Sequence, residues 1–472
     1  MLKTDSEISD SLVTCQTSQG TGVRASLLHL TRFLAVFEIY NPDLALRTSE
    51  ALEDFRIVLD GRAVYSGRAV VSSLVNTGLI LVCQVTLEEH SWKDVEFAPD
   101  AIGKDKLRDD FRQFLHEWQK LYLVSREYKV VVADIESFLA GLRLWLDQVE
   151  LRIRASPAAN RVELEQKIAA GLRDLVVPPA NSLFERFEEV SDKIEEAMRP
   201  AHRAFARRQL HPLLLCAPII YRCYTKPLGY AGDYEMMNMI IRNGFEGSSL
   251  YAKLVNAYLL DQGPAQAVRN RVGYLMDRII EETARISRAG RTANIYNVAC
   301  GPAREVERFV AEHPLADSAH FRLLDFSEET LRCASDRVNE AKWKHHRNTG
   351  IEIVKNSVQA LIKSQSKGAP MEQRYDLIYS SGLYDYLNDP ICKRLNALFY
   401  DQLRPGGLLV VGNFGPSTSI RNVMEHLLEW FLIYRGPHQM MSLIPYQAAP
   451  EHCFVRAEST GSNMFLEVRK PA

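Results

Sequence analysis

Three regimes of hydrophobic spacing run along the chain, and each predicts a different kind of structure. Between about residues 12 and 88, apolar and β-branched residues alternate with polar ones in short runs at 21–30, 33–40, 55–59, 63–65 and 79–87. Turn signals separate them at Asn41-Pro-Asp43, Asp60-Gly61, Ser66-Gly67 and Asn76-Thr-Gly78. A period of two buries one face of a strand, so residues 1–100 are expected to form a small antiparallel β-barrel or sandwich.

From about residue 104 the period lengthens to three and four. Apolar stripes at 109–123, 135–153, 164–175 and 183–198 predict amphipathic helices, and Pro157, Pro178-Pro179, Pro200 and Pro212 are read as their breaks. Residues 101–290 are therefore expected to be all-helical. Within them, 221–237 stands apart. Two glycines, a proline, four tyrosines, Lys226 and Asp233 crowd together before a helix at 236–241, which Asp233 is placed to cap. A lid over a ligand accounts for that density of tyrosines better than a plain connection does.

After residue 291, strands and helices alternate, which predicts an α/β domain over 291–472. The run Asn294-Ile-Tyr-Asn-Val-Ala-Cys-Gly-Pro-Ala-Arg-Glu305 reads as strand, tight turn and helix start. Gly301 has no Cβ to keep a ligand from the backbone, and the first N–H groups of a helix lack partners within it, so anionic groups are favoured there. The next strand, at 321–324, ends in Asp325, where a carboxylate can accept hydrogen bonds from ribose hydroxyls. Further strands are expected at 351–354, 375–380 and 408–414, the last continuously apolar and so buried on both faces, with helices at 328–341, 390–403 and 423–433. A hairpin over 453–469 closes the chain. Ligands of open α/β sheets sit beyond the carboxyl ends of the strands, which nominates 297–302, 325–327, 356–358, 380–384 and Asn413.

Composition narrows the partners. The 472 residues are 25% charged and 46% hydrophobic, with a formal net charge of -2, and offer no basic face for nucleic acid. The start, Met1-Leu-Lys-Thr-Asp-Ser-Glu, does not read as a secretory signal, and the most apolar run, at 212–220, falls far short of the roughly 20 residues that span a bilayer. A soluble, cytoplasmic protein without a membrane span is expected. The eight cysteines lack paired short spacing, and neither His345-His346 nor His426 has a second ligand at helical spacing. Reduced thiols and no metal are expected, with Cys300 as small buried packing rather than a nucleophile.

Taken together, Val298-Ala-Cys-Gly-Pro-Ala-Arg-Glu305, Leu323-Leu-Asp-Phe-Ser327 and Leu403-Arg-Pro-Gly-Gly407 resemble the class I S-adenosylmethionine (SAM)-dependent methyltransferases. With Lys226-Pro-Leu-Gly-Tyr-Ala-Gly-Asp-Tyr-Glu235 upstream, 221–470 looks like the bacterial enzymes that make 3-hydroxypalmitic acid methyl ester, a quorum-sensing signal. The resemblance implies a Rossmann-like sheet with an antiparallel last strand, SAM as cofactor and a 3-hydroxy fatty acid as acceptor. It implies SAM contacts from Asn297, Ala299, Cys300, Gly301, Pro302, Asp325, Phe326, Ser327, Ser380, Tyr230 and Asp233, with Asn356, Ser357 and Val358 flanking the adenine. For catalysis it points to Lys226 or Arg435 holding the carboxylate and to Tyr230 and Tyr384 orienting it. The N-terminal module loosely resembles a PilZ barrel, but Arg62 and Arg68 are too far apart and Val75 stands where that signature has serine. A docking or dimerising barrel, and hence a homodimer, is the expectation there. Two other functions fit the same residues: SAM-dependent methylation of a phenol or amine, and a SAM-binding signalling adaptor without catalysis.

Overall fold

The computed structural model describes residues 11–40, 46–59, 62–76, 80–93, 123–358, 360–362 and 374–472. The expected turns at Asn41-Pro-Asp43 and Asp60-Gly61, most of that at Asn76-Thr-Gly78 and all but the end of the helix at 109–123 lie outside them.

Six strands, β1 (Ser11–Gln16), β2 (Gly22–Leu30), β3 (Leu34–Ile39), β4 (Ala51–Leu59), β5 (Arg62–Asn76) and β6 (Leu81–Leu87), close into a barrel in the order β1-β2-β3-β6-β5-β4. Alternate residues point inward, and Phe37, Phe55 and Tyr65 fill the interior. Ser66-Gly67, read as a turn, lies inside the 15-residue β5. Gly67 answers a steric demand instead: a Cβ there would stand 2.2 Å from Ser91 Oγ, where the Glu89–Ser91 turn crosses the strand.

The middle of the chain is helical: Arg126–Arg154, Arg161–Asp192, Arg199–Leu214, Pro218–Thr225, Tyr234–Arg242, Leu250–Leu260 and Gly263–Arg288. Two sequence expectations fail here. Pro178-Pro179 does not end a helix but lies within Arg161–Asp192, where Ala180, Phe184 and Phe187 beyond the prolines are buried, and Pro212, also read as a break, lies inside Arg199–Leu214. Packing of the apolar stripe outweighs the lost backbone bonds. Conversely, the helix expected over 423–433 is confined to Arg421–Leu427. Glu429 adopts φ 50° and turns its buried carboxylate to Arg207 Nη1 at 2.6 Å and Thr86 Oγ1 at 3.1 Å, so the chain leaves the helix and runs across toward the sheet.

Seven strands form the third layer: β7 (Ala293–Val298), β8 (Ala319–Asp325), β9 (Gly350–Lys355), β10 (Tyr375–Ser381), β11 (Leu403–Phe414), β12 (Cys453–Ala457) and β13 (Asn463–Arg469), in the order β12-β13-β11-β10-β7-β8-β9. The pairings among β7 to β11 are parallel, and β13 runs antiparallel to both β11 and β12. Helices Gly263–Arg288, Arg304–Glu312 and Glu328–Lys344 cover one face and Asp389–Gln402 the other, as in a doubly wound Rossmann-like sheet. Strand order reverses between β7 and β10, and ligand clefts of open sheets form there.

Barrel, helices and sheet meet in polar contacts. Arg68 lies 3.4 Å from Glu88 and 3.6 Å from Glu429. The start of β4 is tied to the 221–237 loop by Ala51 N donating to Gly229 O at 2.7 Å and, one residue earlier, by an isolated bridge between Glu50 and Tyr230. Ser49 Oγ donates to Phe431 O at 2.8 Å. No helix among the described residues is long and apolar enough to cross a membrane.

Candidate active site

The turn after β7 has the conformation its glycine suggested, with more strain than one glycine implies. Ala299, Gly301 and Ala303 all have positive φ, at 55°, 54° and 48°. L-residues adopt that region at a cost of about 1–2 kcal/mol each, so the two alanines are held there by their surroundings. Cys300 N bonds Leu324 O at 2.9 Å, and Gly301 N donates to Asp325 Oδ2 at 3.3 Å. Ser327 N donates to Asp325 Oδ1 at 3.0 Å, while Ser327 Oγ, not Asp325, caps helix Glu328–Lys344. The Asp325 carboxyl is therefore fixed between two strand ends, and burial raises its pKa.

Around this turn lies a cleft of about 110 Å³, walled by Asn297, Ala299 to Pro302, Asp325 and Phe326 from the sheet and by Tyr230 and Gly232 from the loop. A wider groove of about 910 Å³ adjoins it at Tyr230 and Phe326, and Ser327, Asn356 and Ser357 border it together with the β1–β2 turn of the barrel. Tyr230 packs on Phe326 with ring centroids 5.3 Å apart, and burial raises the pKa of its hydroxyl.

Other expected site residues stand elsewhere. Val358 is buried in the core against the opposite face of the sheet. Ser380 is also buried, and its neighbours Ser381 and Gly382 line the cleft instead. Asp233 caps helix Tyr234–Arg242, accepting from Met236 N and from Arg222 Nε, both at 2.8 Å. Lys226, in a left-handed conformation at the end of helix Pro218–Thr225, buries its ammonium on Leu428 O at 3.1 Å, outside the cleft, and burial lowers its pKa to about 8. Tyr384 donates to Asn396 Oδ1 at 2.5 Å beneath the sheet, which corrects the expectation that its hydroxyl faces the cleft. Arg435 and Asn413 bond each other at 2.6 Å, and Arg435 also holds Asp389 and the carbonyls of Tyr384 and Leu387. Cys300 lines the cleft, but burial pushes its thiol pKa up, away from a thiolate.

The structure adds residues that the sequence did not single out. Tyr386, one short turn beyond Tyr384, lines the cleft and accepts from Trp430 Nε1 at 2.9 Å. Glu305, buried in the first turn of its helix, accepts from Asn297 Nδ2 and Tyr379 Oη, both at 2.9 Å. Asp385 also lines the cleft; burial raises its pKa to about 6, and it accepts from Phe414 N at 2.6 Å. Two arginines complete the wall. Arg47 comes from the barrel side, its guanidinium 4.7 Å over Phe326 and 5.9 Å from Tyr230, with Nε unbonded. Arg271 comes from helix Gly263–Arg288, Nη2 lies 3.2 Å from Met237 Sδ, and burial lowers its pKa. Among the described residues, neither guanidinium has a carboxylate within ion-pair distance.

Gly232 sits where loop and cleft touch. Its φ is 73°, and an added Cβ would lie 2.7 Å from Tyr386 Oη. Gly232→Ala is expected to cost about 1–2 kcal/mol of stability from the left-handed backbone, read by urea denaturation, and to displace Tyr386. Unchanged stability would show that the loop relaxes freely.

No family model matches the chain, and no curated protein does. Solved structures are similar in part. A possible exported protein from Bordetella parapertussis is 16% identical, with a TM-score of 0.39 over 54% of this chain and 86% of that one. The N-methyltransferase NodS from Bradyrhizobium japonicum, in complex with S-adenosyl-L-homocysteine (SAH), is 14% identical, with a TM-score of 0.30 over 51% and 98%. A putative O-methyltransferase from Nostoc punctiforme is 11% identical, with a TM-score of 0.31 over 54% and 70%. Likenesses this remote carry no chemistry to this chain, which is read from its own cleft.

Proposed function

We propose that the chain is a SAM-dependent methyltransferase that esterifies the carboxylate of a 3-hydroxy fatty acid. The strained turn at Ala299–Ala303, Asp325 at the end of β8 and the groove beside Asn356 and Ser357 fit a nucleoside with an amino-acid arm: ribose on Asp325, adenine in the groove, methionine portion against Cys300 and Gly301. Glu305 and Asp385 supply negative charge beside the cationic end of such a ligand.

The observation that carries the acceptor is the pair of guanidinium groups, Arg47 and Arg271, facing the cleft without ion-pair partners among the described residues. SAM brings one carboxylate of its own. A second unpaired cation calls for a second anion, and an acceptor carboxylate supplies it.

When bound, SAM supplies a methyl group on a positive sulfur that leaves as neutral SAH. The acceptor carboxylate would bring its own lone pair to that methyl, so the chain's residues would have no proton to move. The chain's part is placement. Arg271 and Tyr386 hold the carboxylate, Tyr230 and Gly232 cover the cleft, and Arg47 closes it from the barrel side. Such orientation supplies roughly 7–11 kcal/mol of a barrier when the geometry is right. Because a carboxylic acid with a pKa near 4.3 is already ionised, no general base is needed.

The rate of SAH formation with a 3-hydroxy fatty acid is therefore expected to be flat from pH 7 to 9, above the titration of Asp385 at about 6. A rate limb rising through that window, with turnover on phenols or amines instead, would replace the carboxylate by an acceptor that must lose a proton. SAH binding with no turnover on any acceptor would leave a SAM-binding adaptor.

A further inference from the structure

The helical layer carries an apolar hollow. A cavity of about 290 Å³ lies among helices Arg126–Arg154, Arg161–Asp192 and Leu250–Leu260, walled by apolar side chains such as Phe138, Ala180, Phe184 and Leu254. Its charged wall residues, Arg173 and Asp261, are partly exposed and pair with each other at 2.6 Å, and the hydroxyl of Tyr258 donates to Asn181 at 2.9 Å. A second, tighter hollow of about 40 Å³ lies next to it and shares the walls Ile220, Leu259 and Leu428. Trp430 is among the walls of that second hollow, and it also walls the cleft and donates to Tyr386. The cleft, the small hollow and the wide apolar hollow are thus neighbours through shared walls.

An apolar hollow of this size, open at the edge where Arg173 is exposed, has the lining expected of a ligand site. The small hollow has room only for something thin, and its apolar walls exclude a polar guest.

We propose that the two hollows hold the alkyl tail of the acceptor, an unbranched aliphatic chain whose carboxylate lies at Arg271 and Tyr386. The proposal rests on the carboxylate-acceptor reading for its head group and on the hollows for its tail. Chain length is then selected by how far the tail reaches past Trp430 into the wide hollow.

The test is made on the 472-residue chain with cis-parinaric acid, a fatty acid whose fluorescence rises in a dry apolar site. Ala180→Phe fills the wide hollow and Ile220→Trp blocks its boundary with the small one. Each is expected to weaken the probe at least tenfold while SAH affinity, measured by calorimetry, stays unchanged. Competition on the wild type adds a reading that needs no variant: 3-hydroxy acids of increasing length are expected to displace the probe with affinities that climb per methylene and then level off. A probe that binds equally to wild type and both filled variants overturns the tail site, as does displacement that ignores chain length. Methyl transfer is scored separately. Length-dependent binding without ester formation supports the tail site and sinks the carboxylate reading, whereas ester formation with no sensitivity to the filling variants does the reverse.

Discussion

Asp325→Ala is expected to raise the dissociation constant of SAH by roughly 10–100-fold, the loss of charge-assisted hydrogen bonds to a ribose worth about 1.5–3 kcal/mol. Asp325 is buried, is held by Gly301 N and Ser327 N, and faces the cleft rather than capping the helix that follows. Removing it also leaves those two N–H groups without their carboxylate, so the turn itself loosens. Asp325→Asn separates the effects, since it keeps the shape and an acceptor oxygen but loses the charge, and should fall between the two. Calorimetric titration of SAH decides it; an unchanged constant for the alanine variant would remove the ribose contact from this cleft.

Glu429→Gln is expected to destabilise the fold by about 3–5 kcal/mol, because it strips the carboxylate from a buried cationic group and leaves the cations uncompensated. Burial alone would raise the pKa of Glu429, but Arg207, Lys226 and Arg68 outweigh it and hold the carboxyl down to about 2. Arg207 acts most strongly on it and Lys226 next, even though burial drives the pKa of Lys226 itself down to about 8. A carboxyl with a depressed folded pKa contributes its stability in full above its unfolded value, near 4.5, and loses it as pH falls toward 2. The wild type should therefore lose stability steeply across that window, and Glu429→Gln should show a shallower loss from a lower starting point. Urea unfolding at a series of pH values reads both. Because Arg68 belongs to the barrel and Arg207 to the helical layer, loss of this hub is expected to loosen the barrel first, visible as faster proteolysis ahead of residue 126.

How much of this could be read along the chain depends on whether the cause is local. The turn at Ala299–Ala303 and the strand end at Asp325 were legible because glycine and a carboxylate after an apolar run have backbone consequences within a few residues. The period-two spacing of 21–30, 33–40 and 79–87 likewise announced strands, and Asp233 announced its cap. Gly67 was misread because the demand it meets comes from Ser91, in a turn more than twenty residues further along the chain that crosses β5. Pro178-Pro179 was read as a break since backbone chemistry says so, yet burial of Phe184 and Phe187 decided otherwise. Tyr384 and Tyr386 are chemically alike and two residues apart, and only the short turn that carries them sends one beneath the sheet and the other to the cleft. Arg47 was least accessible of all. It lies between two barrel strands in no motif, and it reaches Phe326 only because Ala51 pairs with Gly229 and Ser49 with Phe431. The job left open for the barrel gains a physical content from this: it walls the cleft and braces the loop above it.

Transfer itself is followed most directly with SAM labelled with carbon-13 on its methyl group, incubated with purified protein and a 3-hydroxy fatty acid and examined by NMR and mass spectrometry. The label is expected in an ester methyl, one per SAH formed, with the 3-hydroxyl untouched. Label on the hydroxyl as an ether, or no transfer from SAM to any 3-hydroxy acid, would contradict the assignment of this cleft to carboxylate methylation.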